Sequence, residues 1–413
     1  MLNKNQEREL AYITKVDAIR PIAGKDRVEC AVVNGWTCMV RKGAFQPGSL
    51  GIYFEIDSKL DTSKPEFAFT EKYHGKIKTQ KFKTPEGHFF SQGLLMAPAD
   101  FGWTIDGDTI VTDSGEKYQE GSFLTKVLKV TYADAEDNKR KAKSDPDAKY
   151  KSMMARYPKL AKSKFGRWAM KHTFMKKLLY FFLGSKSDKK KQWPAHIVKT
   201  DEERVQNLAY MLPEYSQMKW IATEKVDGTS TTFSLIKDKH KKTTYYVCSR
   251  NVVMNQPGKD KTCYYANTDG NVYLEMSNKY NMEDVLKSLI TIYNDLSYVT
   301  IQGETYGGTI QKRDYSIKGH DLAVFNVIFG FKDGTKKRLN PFEGEALMKE
   351  YDIPYVPVLG EVTIADNCDD ILEMAGGASK IDGLPREGLV FRTLDGSCSF
   401  KAVDNNFIVK YHG

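Results

Sequence analysis

In the first third of the chain, apolar positions come in short runs that alternate with polar ones and break at glycine or proline. LAYITKVDAI (10–19), DRVECAVVNG (26–35), WTCMVRKG (36–43) and LGIYFEIDSKL (50–60) are rich in β-branched and aromatic residues. Turn segments such as FQPGSLG separate them. The pattern over 8–127 reads as strands. Many short strands at close spacing predict a small closed barrel, of the OB-like kind. Such a barrel either binds nucleic acid or only scaffolds its neighbour.

The pattern changes at 134–193. A charged stretch, DAEDNKRKAKSDPDAKYK, comes first. FGRWAMKHTFMKKLLYFFLG (165–184) then predicts a helix with basic and aromatic residues interleaved. It is too short and too charged to cross a bilayer. Three readings stand open: a helix whose basic side faces RNA, a helix lying on a membrane surface, and a linker helix with a solvated face. From 194 onward, strand-like segments alternate with a few helices, 282–295 and 341–351 among them. That pattern predicts an α+β domain with a mainly antiparallel sheet. The expected division is therefore a barrel at 1–133, a basic helical insert at 134–193 and a second folded domain at 194–413.

Composition sharpens the picture in two places. A chain of 413 residues with 41% hydrophobic content is long enough for two or three cores. The net charge of +9 is uneven: residues 138–191 hold 18 Lys/Arg against 3 Asp/Glu, and the remainder holds 44 against 50. One segment makes the protein basic, which is the footprint of a localised polyanion-binding surface. The polar start MLNKNQEREL has no signal-peptide core. The six cysteines show no C-x-x-C pair, so neither a disulfide frame nor a zinc site is expected. A cytoplasmic protein is the expectation.

Candidate chemistry begins at TEKVDGTSTTFSL (223–235). Lys225 ends a predicted strand, and Asp227-Gly228 turns the chain into the next one. About one chain in ten of this size carries Lys-x-Asp-Gly by chance, so the motif alone decides nothing. Other groups follow in order. CSRNVVMN places Ser249, Arg250 and Asn251 at a strand end. VTIQGETYGG sets Glu304 between turn-forming glycines, and HDLAVFNVIFG carries Phe325. REGLVFRT starts with Glu387, and CSFKAVDNN puts Lys401 on the last strand. Singly, each could be a surface charge or a core ring; their joint order is hard to explain by chance.

The ordered set K-x-D-G, S-R-N, G-E-x-x-G, an aromatic strand, E-G-L-V-F-R and S-F-K resembles the covalent nucleotidyltransferases, the polynucleotide ligases and RNA capping enzymes. The N-terminal ERELAYITKVDAIRPIAGKDRVECAVVNGW, together with WPAHIVKTDEERVQNL and GGTIQKRDY, is similar to ATP-dependent RNA ligases of the RNA ligase 5 type. The resemblance covers almost the whole chain. It implies an RNA ligase (ATP) that joins 3′-OH and 5′-phosphate ends through lysyl-AMP and RNA-adenylate, in nick sealing or RNA repair. Lys225 would be the nucleophile. Asp227, Glu304 and Glu387 would hold Mg²⁺ or Mn²⁺. Lys401 would contact the α-phosphate, Arg250 the ribose or a phosphate, and Phe325 the adenine. Glu224 would border the base pocket, and Arg204 would reach the β/γ-phosphates. Arg41, Lys42, Lys78 and Lys81 of the barrel are candidates for pyrophosphate or RNA.

Three positions depart from the family pattern. Asn326 stands where many relatives carry Asp. The last motif has Lys401 but Val403, which leaves Lys410 as a distant second lysine. Arg313 replaces a smaller polar residue. Rival readings are a DNA ligase or capping enzyme and a non-catalytic RNA-binding protein on a ligase fold. The former usually place an OB domain after the catalytic one, and here the barrel comes first.

Overall fold

The computed structural model describes residues 8–133, 160, 163–183, 193–238, 240, 242–250, 253–254, 271–293, 295–308 and 310–412. Most of the basic stretch 138–191 and Asn251 lie outside the described residues.

Among the described residues the N-terminal strands build five small antiparallel sheets. One has the order Ala11–Lys15, Leu50–Phe54, Leu94–Met96, and another is a meander of Ala18–Pro21, Val28–Val33 and Trp36–Arg41. The meander's second turn shows why these residues pair. Val33 lies opposite Trp36, and the two residues between them, Asn34 and Gly35, have φ of 47° and 74°. Asn-Gly tolerates this geometry, and its twist matches that of the flanking strands. Ile13, Ile52, Phe54 and Phe67 fill one core, and Tyr12, Trp36 and Tyr53 fill another. The second core also takes Val403 and Ile408 from the far end of the chain, so the barrel is docked on the other domain through apolar contact. A buried hydrogen bond supports the docking: Trp36 Nε1 donates to Asn207 Oδ1 at 2.7 Å.

The C-terminal domain has two antiparallel sheets. The smaller has the order Val358–Val362, Trp220–Lys225, Gly388–Thr393, Ser399–Val403. The larger has the order Thr243–Cys248, Thr229–Lys237, Leu296–Tyr306, Asp321–Phe331, Lys336–Arg338. Helices cover the larger sheet. In Met282–Ile292 the buried residues are Met282, Val285, Leu286, Leu289 and Ile290, the spacing of a one-faced helix. Pro341–Lys349 starts with a reciprocal cap, Asn340 to the Glu343 amide and Glu343 back to the Asn340 amide. Both helices match the sequence expectation closely.

The expected single helix at 165–184 is two, Lys164–Lys171 and Thr173–Leu183. The break falls at His172, which takes an extended φ of −106° and ψ of 118°. No helix among the described residues is long and apolar enough to cross a membrane.

Candidate active site

The turn between Trp220–Lys225 and Thr229–Lys237 is the hinge of the site, because it carries the chain from the smaller sheet to the larger. Lys225 is the last residue of its strand and Asp227 lies in the crossing. The turn is tightly held. The Asp227 N–H donates to Tyr315 Oη at 2.6 Å, and Gln311 Nε2 donates to the Gly228 carbonyl at 2.9 Å. A side chain at Gly228 would place its Cβ 2.2 Å from the Thr305 carbonyl oxygen, so glycine is required by space.

A cavity of about 500 Å³ opens over this turn. Its walls bring together Glu224, Lys225, Asp227, Glu304, Glu387 and Lys401, with Arg204, Arg250 and Phe325. Lys225 Nζ lies 2.7 Å from both carboxylate oxygens of Glu387. Burial alone would lower the Lys225 pKa, but Glu387, Glu304 and Asp227 outweigh it and raise it. Glu304 is pushed up to about 8, first by burial and then by the charges of Glu387 and Asp227. Glu387 is also raised, chiefly by burial. Lys401 is pulled down to about 8 by burial, with Arg204 and Lys225 adding to the effect. Asp201 opposes that shift, from 3.6 Å. The site thus concentrates acidic groups around one lysine and sets a second, weakly held ammonium beside them.

The carboxylates fit a divalent ion. Oδ2 of Asp227 is buried without a hydrogen-bond partner, although the residue is only 5% exposed. Asp227, Glu387 and His412 each present a donor atom within 4.8 Å of the others. A buried carboxylate oxygen without a partner is costly, and a hard cation satisfies it.

Residues 218–412 match the family described as RNA ligase, and residues 10–97 match an OB-fold domain. The C-terminal domain belongs to the RNA ligase family. Solved structures of Naegleria gruberi RNA ligase resemble almost the whole chain. The form with PPi is 26% identical, with 98% of this chain and 99% of that one covered and a TM-score of 0.68. A substituted form with ATP and Mn is 27% identical over 98% and 100%, also at 0.68. Another with AMP and Mn is 26% identical over 98% and 99%, at 0.67. No curated protein sequence matches the chain. The fold is thus an OB barrel followed by an antiparallel-sheet nucleotidyltransferase domain.

Within this ligase domain, the structure gathers every site residue named from the sequence in the catalytic domain, but it gives some of them other partners. Glu224 lines the cavity, yet its carboxylate accepts from Ser379 Oγ and from the Lys380 amide at 2.8 Å, so it anchors the 379–380 loop. Arg250 is paired with Asp201. Arg204 extends past Trp36 with its guanidinium carbon 5.7 Å from the ring centroid. Of the four barrel cations, Lys78 lines the cavity, whereas Lys81 donates to Asn406 Oδ1 at 2.8 Å. Arg41 and Lys42 are exposed and do not line it.

The three departures from the family pattern also find a place. Asn326 is buried, and its Nδ2 donates to Gln302 Oε1 at 3.0 Å on the neighbouring strand. Arg313 pairs with Asp382 and stacks on Tyr315, the ring that holds the Asp227 amide. Lys410 is exposed over Tyr411, and the residue that its turn sends into the cavity is His412. Sequence reasoning missed His412, Arg8, Asp201 and Gln311. Asp201, Arg8 and Gln311 stood inside the quoted WPAHIVKTDEERVQNL, ERELAYITKVDAIRPIAGKDRVECAVVNGW and GGTIQKRDY, whereas His412 carried no local signal.

Proposed function

We propose that this ligase domain joins RNA 3′-hydroxyl and 5′-phosphate ends at the expense of ATP, through lysyl-AMP and RNA-adenylate. The observation that carries the reading is Lys225, held at 2.7 Å by Glu387 in a cavity that also holds Asp227, Glu304 and Lys401. The likeness to ligase structures solved with ATP and Mn, AMP and Mn, and PPi supports it.

In the first step Lys225 Nζ, having lost a proton, attacks the α-phosphorus of ATP. The N–P bond forms, the P–O bond to the β-phosphate breaks, and pyrophosphate leaves. AMP then passes to the 5′-phosphate of RNA, and attack by the 3′-hydroxyl releases it. Lys401 offsets charge at the α-phosphate, and Arg204 and Lys78 offset charge toward the leaving group. Phe325 offers its ring to the adenine. Asp227, Glu304 and Glu387 would hold a divalent ion, Mg²⁺ or Mn²⁺, which neutralises phosphate charge and weakens the carboxylate grip that keeps Lys225 protonated. The acceptor in this reading is an RNA 3′-hydroxyl strand at a nick. The reading keeps the division at 133 and 193 into a barrel, a basic insert suited to RNA phosphates, and the catalytic domain.

Intact-mass spectrometry after incubation with ATP and Mg²⁺ or Mn²⁺ tests the first step. The wild type should gain one AMP, about 329 Da, and Lys225→Ala should not. Folded, unmodified wild-type protein that gains nothing with either metal would overturn the reading. Nick-sealing assays on RNA and DNA then test the end chemistry.

A further inference from the structure

His412 reaches the metal-binding end of the cavity from a turn that is fixed on both sides. Asp404 caps the short helix Asn405–Phe407, and Phe407 is buried against Tyr411 at a ring distance of 4.5 Å. The next residue, Ile408, packs into the apolar core shared with the barrel. Gln92 Nε2 of the barrel donates to Asn405 Oδ1 at 2.7 Å. The imidazole is therefore presented by an anchored turn. Its Nε2 lies 3.2 Å from Asp227 Oδ1.

A simple hydrogen bond between His412 and Asp227 accounts for one carboxylate oxygen only. Oδ2 of Asp227 is left buried and unpartnered beside it. Leaving such a group buried and unsatisfied is unfavourable. The donor atoms of Asp227, Glu387 and His412 already converge to within 4.8 Å of one another. An ion among them uses all three residues and can satisfy the orphaned oxygen.

We propose that Nε2 of His412 is a direct ligand of the divalent ion that Asp227 and Glu387 would hold. The inference deepens the ligase reading and rests on it for the purpose of the ion.

The test uses nucleotide-free full-length protein: wild type, Lys225→Met and His412→Gln. Lys225→Met removes the other nearby amine as a source of nitrogen. Mn²⁺ binding is titrated by loss of the free-ion EPR signal, and pulsed EPR reads ¹⁴N coupling to the bound ion. Coupling is expected in wild type and in Lys225→Met, and should be absent in His412→Gln. Mn²⁺ affinity in His412→Gln should fall by about tenfold or more. Thermal unfolding checks that His412→Gln is folded, with His412→Asn as a second variant. Wild-type protein that binds no Mn²⁺, ¹⁴N coupling that persists without His412, or unchanged Mn²⁺ affinity would each overturn the proposal. Loss of the ligase reading would look different: intact ¹⁴N coupling with no AMP adduct.

Discussion

The ammonium of Lys225 lies 2.7 Å from the carboxylate of Glu387, a residue 162 positions later in the chain. The contact follows from register, since Lys225 faces Gly388 across two antiparallel strands. A Cβ at Gly388 would come within 2.2 Å of the Ala402 carbonyl oxygen, so the next strand presses on this point and fixes it. The pair holds the lysine in its charged, non-nucleophilic form until something competes for Glu387. Glu387→Gln should therefore have two opposite effects. Without nucleotide, Lys225 should react faster with an amine reagent at pH 8, because its largest favourable charge is gone. With ATP and metal, its adenylylation should slow by about 10²-fold. Mapping the modified lysine by mass spectrometry reads both. Equal slowing of both reactions would contradict the pairing role.

Lys401 gives the site a pH limit from the alkaline side. Its pKa is pulled down to about 8, and Asp201 is the charge that resists the fall. The protonated form is the one that offsets phosphate charge, and it is lost as pH rises through that value. Single-turnover lysine adenylylation should decline above pH ~8. Asp201→Asn removes the opposing charge, so the decline should begin at lower pH. An unmoved alkaline limb in Asp201→Asn would separate Lys401 from it.

Arg313 and Asp382 form a buried, two-bond pair at 2.7 and 2.8 Å. Each side chain is 5% exposed or less. Removing one partner leaves the other buried and unpaired, at about 3–5 kcal/mol. Arg313→Met should lose that much in urea unfolding, whereas Arg313→Met with Asp382→Leu should recover at least half. Because Arg313 stacks on Tyr315, the single variant should also loosen the Asp227 turn and slow adenylylation. A loss below 1 kcal/mol in the single variant would contradict this account.

How far the sequence could be read depended on whether a residue's partner lies nearby in the chain. The strand runs that break at glycine or proline and the helices at Met282–Ile292 and Pro341–Lys349 are local signals, and the structure carries them. Lys225, Asp227, Glu304, Glu387 and Lys401 were legible because they stand on or beside strands in a familiar order. His412 was not, since its place depends on Ile408 entering a core built mostly from the barrel. Asp201 was passed over because a carboxylate among acidic neighbours reads as solvated, yet it bridges toward Arg250 and Lys401. Glu224 lines the cavity beside the nucleophile, and its oxygens also serve Ser379 and Lys380, partners 155 and 156 positions away that no local pattern shows.

The two helices Lys164–Lys171 and Thr173–Leu183 leave a testable question about RNA. Lys164, Arg167, Lys171 and Lys177 are exposed, and no acidic residue occurs in 164–183. Phe165, Trp168 and His172 form a row of rings at 5.9 and 4.6 Å, with Phe165 50% and Trp168 48% exposed. Cations with exposed rings suit a polynucleotide, through phosphate contact and base stacking. Replacing the four cations by Gln should weaken binding of nicked RNA and flatten its salt dependence. The logarithmic slope should fall by about 0.9 for each duplex phosphate contact removed. Lysine adenylylation uses no RNA and should stay at the wild-type rate, which separates lost RNA contact from a damaged fold. An unchanged slope with unchanged affinity would exclude these helices from the RNA path and shift the search to the cations on the barrel, beginning with Lys78 at the cavity wall.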